Sequence, residues 1–249
     1  MPRFFIRKEQ IEIKENEKLI HIVGEDAHHI ARALRMAVGE GVEICDMQKN
    51  LYLCTLLEFF DDKEVLARVD SEVKCDTEPE NEIVLYQALA KGEKMEIIIQ
   101  KAVECGATKI VPFKSERCIA KLDKKDEPKK IERWQKIAEA GAKQSGRGII
   151  PQVFPALTFD QMIDEAKKCS LPLFCYEAED GSTIKSALRG AEDKSTIAII
   201  IGSEGGFSVT EANKIKDAGI KSVGLGKRIL RCETASAFAL ACIVYENEL

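Results

Sequence analysis

Histidine is scarce in this chain: there are three in 249 residues, His21, His28 and His29, all before residue 30. There is one tryptophan, and aromatic residues make up only 6%. No apolar run approaches the roughly 20 residues that span a bilayer, so no transmembrane helix is expected. The opening MPRFFIRKEQ has no long apolar segment of the secretory type. Nine cysteines in that setting lead us to expect reduced thiols and a cytoplasmic protein. No two cysteines form a C-x-x-C pair, and the histidines lie far from most of them in sequence, so no metal site is expected. An excess of positive charge is missing as well. Lys and Arg number 37 against 42 Asp and Glu, for a net charge of −5. Residues 1–72 hold ten basic against fifteen acidic residues, and the rest of the chain holds 27 of each. Any nucleic-acid surface must therefore be a local cluster.

Familiar catalytic signatures are also missing. There is no G-x-x-x-x-G-K-[ST], which excludes a P-loop nucleotidase. Gly202-x-x-Gly205-Gly206 is not G-x-G-x-x-G, and it lies too late in the chain for the first turn of a dinucleotide fold. No G-x-S-x-G elbow surrounds Ser203, and a hydrolase would need a histidine base that the C-terminal part of the chain lacks.

What is present is a globular composition, 45% hydrophobic and 32% charged, with ample length for a core. Residues 1–72 read as a small β-rich unit: strand candidates at 4–6, 19–22, 42–44, 51–59 and 64–69 surround one helical stretch from Gly24 to Met36. Many short strands around one helix predict a small barrel. Basic residues cluster in it, with Arg3, Arg7 and Lys8 at the start and Arg32 and Arg35 on the helix. Residues 73–82, VKCDTEPENE, are polar and aperiodic and are expected to be a linker. From residue 83 to 249 strands alternate with helices, which predicts a parallel α/β sheet. The last helix, ASAFALACIVYE, is apolar nearly all round and must be buried, either in the core or at a subunit interface.

The strongest site signal runs from Ile197 to Glu233. An apolar strand, Ile197–Ile201, ends in Gly202-Ser-Glu-Gly-Gly206, and Ser208 to Glu211 forms a capping box for the helix that follows. A second strand candidate, 222–225, ends in Gly226-Lys-Arg-Ile-Leu-Arg231 before another helix. Two such loops at strand ends predict a cofactor or nucleotide held by backbone groups, with Glu204, Arg228, Arg231 and Glu233 nearby and an apolar wall from Ile229 and Leu230.

IGSEGGFSVTE followed by LGKRILRCETA resembles the RsmE-type 16S ribosomal RNA uridine-N3 methyltransferases of the SPOUT superfamily. Blocks elsewhere agree in order: RFFI, HHIARALRMAVGE, KGEKMEIIIQKAVECGATKIVPFKSERCIAKL and AKQSGRGIIPQV. One departure is Ser203, where the family usually has proline. The resemblance implies an α/β fold with a C-terminal SPOUT-type domain holding a deep trefoil knot and an N-terminal PUA-like β-barrel that binds RNA. It implies S-adenosylmethionine as methyl donor, a homodimer, and ribosomal RNA as partner, within an assembled small subunit. By matching motifs, the cofactor residues would be Tyr176, Glu177, Gly202, Glu204, Gly205, Gly206, Leu225, Gly226, Ile229, Leu230 and Arg231, with Cys175 beside them. Uridine N3 must lose a weakly acidic proton before it can attack. Arg231, and next Arg228, would stabilise the resulting anion, and Glu204 or Glu233 would take the proton. Glu233 is equally suited to cap the last helix, and Arg228 to pair with an acid. RNA contacts are expected from Arg3, Arg7, Arg32, Arg35, Arg117, Lys121 and Arg147, chiefly through phosphate. A transfer RNA methyltransferase acting on ribose, or a non-catalytic RNA-binding protein of this fold, would carry many of the same features.

Overall fold

The computed structural model describes residues 1–249 apart from Lys121, Lys124 and Asp180. The chain forms two compact units. The first comprises Met1–Glu78 and Ala142–Ile150. Its strands are β1 (Arg3–Phe5), β2 (Ile11–Lys14), β3 (Glu17–Val23), β4 (Gly41–Cys45), β5 (Asn50–Phe60) and β6 (Glu64–Lys74), with one short helix, α1 (Glu25–His28). They form one sheet in the order β1-β4-β5-β6-β3-β2, antiparallel except for the parallel pair β1–β4. Phe4, Ile20, Ile22, Ile30, Ile44 and Leu56 form its core.

The sequence reading changes here in three places. The helix predicted from Gly24 to Met36 is shorter: α1 passes into a π-helical turn, His29–Ala33, which buries Ile30 and leaves Leu34 exposed. β2 was not foreseen: its alternation, IEIK, lasts only four residues, and the strand lies exposed at the sheet edge, with Ile13 75% exposed. Its cue is the turn Glu15-Asn16, where both residues have positive φ, as a tight hairpin needs. Within 73–82, Val73 and Lys74 close β6, and the Glu78 side chain is 3% exposed.

The second unit comprises Pro79–Gly141 and Pro151–Leu249. Its strands are β7 (Glu82–Ala88), β8 (Lys109–Phe113), β9 (Gln152–Val153), β10 (Leu171–Cys175), β11 (Thr196–Ile201) and β12 (Lys221–Val223). Its helices are α2 (Lys94–Glu104), α3 (Glu127–Ser145, whose last turn belongs to the first unit), α4 (Phe159–Ala166), α5 (Ile184–Arg189), α6 (Val209–Asp217) and α7 (Cys232–Glu248). The sheet is wholly parallel, in the order β12-β10-β11-β7-β8-β9. β11 sits inside it, and its four isoleucines are buried, each contributing about 1.5–3 kcal/mol. α7 packs on α2, α5 and β11. It buries Ser236, Ala239, Leu240 and Ile243 and leaves Phe238 and Tyr245 exposed. Among the described residues no helix is long and apolar enough to cross a membrane.

Candidate active site

The carboxyl ends of β10, β11 and β12 meet around a cavity of about 330 Å³, within the range of small-molecule sites. Three loops build it: Cys175–Glu177 after β10, Gly202–Phe207 after β11, and Gly224–Arg231 after β12. Lys94 at the start of α2, and Cys232 and Ala235 in the first turn of α7, complete the wall.

The β11 loop is a tight turn closed by the Gly206 N–H donating to the Ser203 carbonyl at 3.0 Å. Its glycines are required by close approach. A Cβ on Gly202 would lie 2.9 Å from the Phe207 ring, and one on Gly206, where φ is +63°, would press on the Glu177 carboxylate at 3.2 Å. Phe207 anchors the loop in the core, edge-on to Phe174 with ring centres 4.9 Å apart and stacked over Phe113. Buried Gln87 donates to the Gly202 carbonyl at 3.0 Å, which fixes the loop's first carbonyl. The predicted capping box is formed: Ser208 Oγ accepts from the Glu211 N–H, and the Glu211 carboxylate accepts from the Ser208 N–H. Glu211 also accepts from the Glu116 N–H at 2.7 Å, so α6 is tied to the 115–118 loop.

The β12 loop is equally crowded at its root. A Cβ on Gly224 would lie 2.6 Å from the Glu179 carbonyl, while Gly226, at φ +109°, would meet nothing within 4 Å. Beyond it Lys227, Arg228 and Ile229 are exposed; Ile229, at 89%, is an apolar side chain standing open at the cavity wall. Arg231 is the N-cap residue of α7, its carbonyl accepting from the Thr234 and Ala235 N–H groups.

Charge converges on one corner. Lys94 Nζ lies 3.2 Å from Glu204 Oε1 and 3.9 Å from Glu233 Oε2, so it bridges the residues that follow β11 and those that open α7. Glu204 Oε1 also accepts from the Lys91 N–H at 3.0 Å. Burial works to raise the Glu204 carboxyl, but its own and the Lys91 backbone N–H, together with Lys94, outweigh it and hold the group below the usual carboxylate range. Glu233 is likewise held low: burial opposes, while its own N–H, the Cys232 thiol, Lys94 and Arg231 favour the anion. Both carboxylates are therefore ionised at neutral pH, and Lys94 is the cation nearest to each. The Cys232 thiol, pushed up to about 12 chiefly by burial, stays protonated and donates to Glu233 at 3.2 Å.

Of the sequence-predicted cofactor residues, Tyr176, Glu177, Gly202, Glu204, Gly206, Leu225, Gly226, Ile229, Leu230 and Arg231 all line the cavity, as do Cys175 and Arg228. Gly205 does not. It faces Arg117, whose guanidinium donates to the Gly205 carbonyl at 3.1 Å, and a Cβ there would lie 3.0 Å from the Arg117 side chain. Ser203 replaces the proline expected from the resemblance; it is buried, and its hydroxyl donates to the Arg117 carbonyl at 3.4 Å.

The expected RNA contacts divide. Arg7, Arg32, Arg35 and Arg117 are at least partly exposed, Arg32 in an ion pair with Asp62 at 2.6 Å. Two expectations are corrected. The Arg147 side chain is 4% exposed and bidentate to Glu78, at 2.9 and 2.8 Å, so it presents no face to a phosphate. The Arg3 side chain is 10% exposed, paired with Glu43 at 2.7 Å and donating to the Gly146 carbonyl. Lys121 lies outside the described residues. Lys94 and Phe207 were missed. Both had a signal: Phe207 is an aromatic directly after a glycine loop, and Lys94 lies in the KGEKME block, at the polar start of an amphipathic helix.

The family model of the RNA methyltransferase domain matches residues 77–244, and that of the RNA methyltransferase PUA domain matches residues 22–70. Ribosomal RNA small subunit methyltransferase E of Bacillus subtilis (strain 168) is 34% identical, over 100% of this chain and 98% of that protein. The protein of the same name from Mesomycoplasma hyopneumoniae (strain 232) is 35% identical, over 80% of this chain and 84% of its own length. A crystal structure of a ribosomal RNA small subunit methyltransferase E from Neisseria gonorrhoeae, bound to S-adenosyl methionine, superposes with a TM-score of 0.85 at 29% identity, covering 99% of this chain and 98% of that one. With a two-part match in the expected order and full-length relatives at this identity, the chain belongs to the ribosomal RNA small subunit methyltransferase E family.

Proposed function

We infer that this chain is an S-adenosylmethionine-dependent methyltransferase that methylates N3 of a uridine in 16S ribosomal RNA. The carrying observation is the convergence of three strand-end loops on one cavity with backbone walls, an apolar side and arginines at its rim. The donor set suits the cofactor. Leu225, Ile229 and Leu230 offer an apolar slot for adenine, and Glu177 a carboxylate for ribose hydroxyls. The carbonyls and N–H groups of Gly202, Gly206 and Gly226, with Glu204 and Arg231, serve the remaining polar atoms; Tyr176 flanks them. Gly205 contributes through the loop's shape. The bound cofactor supplies an electrophilic methyl group.

The chain's task is to make uridine N3 nucleophilic. Losing the N3 proton leaves a charge spread over the flanking carbonyl oxygens, and a positive wall favours that anion. Arg231 and Arg228 stand at the cavity, and the first turns of α2 and α7 face it, so two helix N-termini add their partial positive charge. Glu204 and Glu233, already ionised, act as charged partners in this wall. The N3 proton passes to solvent ahead of methyl transfer.

In this reading the first unit, which holds residues 1–72 and most of the expected 73–82 linker, is a PUA-like RNA-binding barrel, and the second unit, which holds most of 83–249, is the SPOUT methyltransferase domain with a deep trefoil knot. The barrel reading is supported by a six-stranded, mostly antiparallel sheet around one core. The knot reading is supported by the chain passing from β11 to β12 on the far side of β10 before α7 returns to β11. The exposed Phe238 and Tyr245 on α7 fit a homodimer. Arg7, Arg32, Arg35 and Arg117 grip RNA phosphates within the assembled small subunit, in the cytoplasm.

The test has two steps. Calorimetry must detect S-adenosylmethionine binding, and small subunits from a strain lacking this activity must gain one methyl at a uridine N3 when treated with the protein. Arg231→Ala is expected to lose transfer by about 100-fold or more with an unchanged melting temperature; full activity would remove Arg231 from the mechanism, and absence of cofactor binding by the unaltered protein would refute the reading.

A further inference from the structure

Lys94 stands apart from the strand-end loops that sequence motifs identify. It is the first residue of α2, where the helix's partial positive charge opposes a cation. A lysine there is locally unfavourable unless something offsets it, and Glu204 and Glu233 do so, at 3.2 and 3.9 Å. The two acids arrive from places 110 and more residues further along the chain, and both are ionised at neutral pH. What they achieve together is to hold one ammonium, charged and in place, at the wall of the cavity. The hydrogen bond to Glu204 first, and then the nearby charges, raise the Lys94 pKa above its ordinary value, so it is fully charged at neutral pH. Its side chain is 35% exposed, and an ammonium has three donors. Glu204 is within reach of one of them, and Glu233 lies beyond normal hydrogen-bond distance. Donor capacity is left to point into the cavity.

Resting on the methyltransferase reading above, we propose that Lys94 is a catalytic residue whose ammonium donates to a carbonyl oxygen flanking N3 of the target uracil and stabilises its anion. The balance is simple. The N3–H bond breaks and the proton leaves to water; the N3 lone pair then forms the N–CH3 bond as the S–CH3 bond breaks, and sulfur keeps that pair. Lys94 gains and loses no proton. It lowers the pKa of the bound uracil, so that more of it is anionic at neutral pH. Glu204 and Glu233 are the residues that position it.

The experiment compares Lys94→Met, Lys94→Gln and Lys94→Arg with the unaltered protein, using small subunits that lack the methyl group and saturating cofactor, across pH 6 to 10. The unaltered protein is expected to show a rate that rises with pH and then levels off. Lys94→Met and Lys94→Gln are expected to lose about 100-fold or more at pH 7 and to keep rising to higher pH, recovering much of the loss, because an unassisted uracil ionises later. Lys94→Arg, which keeps the charge, is expected to retain the original profile at a reduced rate. Calorimetry on each variant should show cofactor affinity within about threefold of the original, and melting should show an intact fold. A loss equal at every pH, an unchanged rate in Lys94→Met, or a loss confined to cofactor binding would each overturn the proposal. If the unaltered protein neither binds cofactor nor methylates, the methyltransferase reading has failed instead.

Discussion

Arg147 provides the most direct contest between sequence motif and structure. Its place in the QSGR block marks it for RNA, yet it is bidentate to Glu78 with both side chains under 5% exposed. Glu78 also accepts the Gly148 and Ile149 N–H groups, at 2.8 and 3.1 Å, so one carboxylate ties the 146–150 segment to the end of the first unit's long N-terminal stretch. Burial alone would raise this carboxyl, but Arg147 and the two N–H groups hold it low. Arg147→Met keeps the bulk and strands the carboxylate; breaking a buried pair from one side costs about 3–5 kcal/mol. In a unit of this size each kcal/mol moves the midpoint by roughly 4–8 °C, so the first thermal transition should fall by about 12 °C or more. The double variant Arg147→Met with Glu78→Leu should recover most of that loss, since no charge is then left unpaired. RNA binding measured against salt completes the assay. Arg147→Met should leave the slope of log K against log salt unchanged, whereas Arg32→Ala should flatten it by about 0.7–0.9 if Arg32 meets one phosphate. A stable Arg147→Met variant with a flattened slope would refute the burial argument and return Arg147 to the RNA surface. Glu78 gives the pH dependence its sign. A depressed carboxyl contributes stability that is fully present above its ordinary value of 4.5 and lost as pH falls through the lower folded value, so acid titration should weaken the first unit there and the double variant should not respond.

Two further outcomes can be measured. Gly224→Ala puts a Cβ within 2.6 Å of the Glu179 carbonyl, and a backbone atom cannot swing away; at about 1–3 kcal/mol for overpacking, calorimetry should show cofactor affinity lower by tenfold or so, and unaltered affinity would mean that the β12 loop is not part of the site. His21 is held above its ordinary 6.5 by hydrogen bonds to Glu64 at 2.6 Å and then Glu12 at 2.9 Å, with burial opposing. Its contribution is fully present below pH 6.5 and lost as pH rises through the folded value, so urea titrations should show a small loss above pH 6.5 that His21→Gln abolishes.

How much of this was legible in sequence follows from how local each signal is. The alternation of strands and helices after residue 83 and the Ser208–Glu211 capping box are set by neighbours three or four residues apart, and they were readable. The β11 glycine loop was readable because close backbone approach leaves a mark that only glycine can satisfy, as at Gly202 and Gly206; Gly224, which meets the Glu179 carbonyl, read instead as part of a strand at 222–225. Gly205 misled for the same reason: it is equally constrained, but by Arg117 on its outer side, and sequence does not reveal which side is crowded. Charged residues are least legible, since an arginine has the same local pattern whether it is solvated, as Arg7 is, or buried against an acid, as Arg147 is. Lys94 is the sharpest case. Its spacing to Met95, Ile98 and Ala102 describes only the helix, and its meaning arises from two carboxylates brought in by the return of β11 and α7 to the same end of the sheet. Its trace in sequence is a cation set against a helix N-terminus, inside the KGEKME block that resembles the family. That trace becomes interpretable only when the offsetting acids are found, which is why the motif residues around the cavity could be named from sequence while the charge most suited to the reacting base could not.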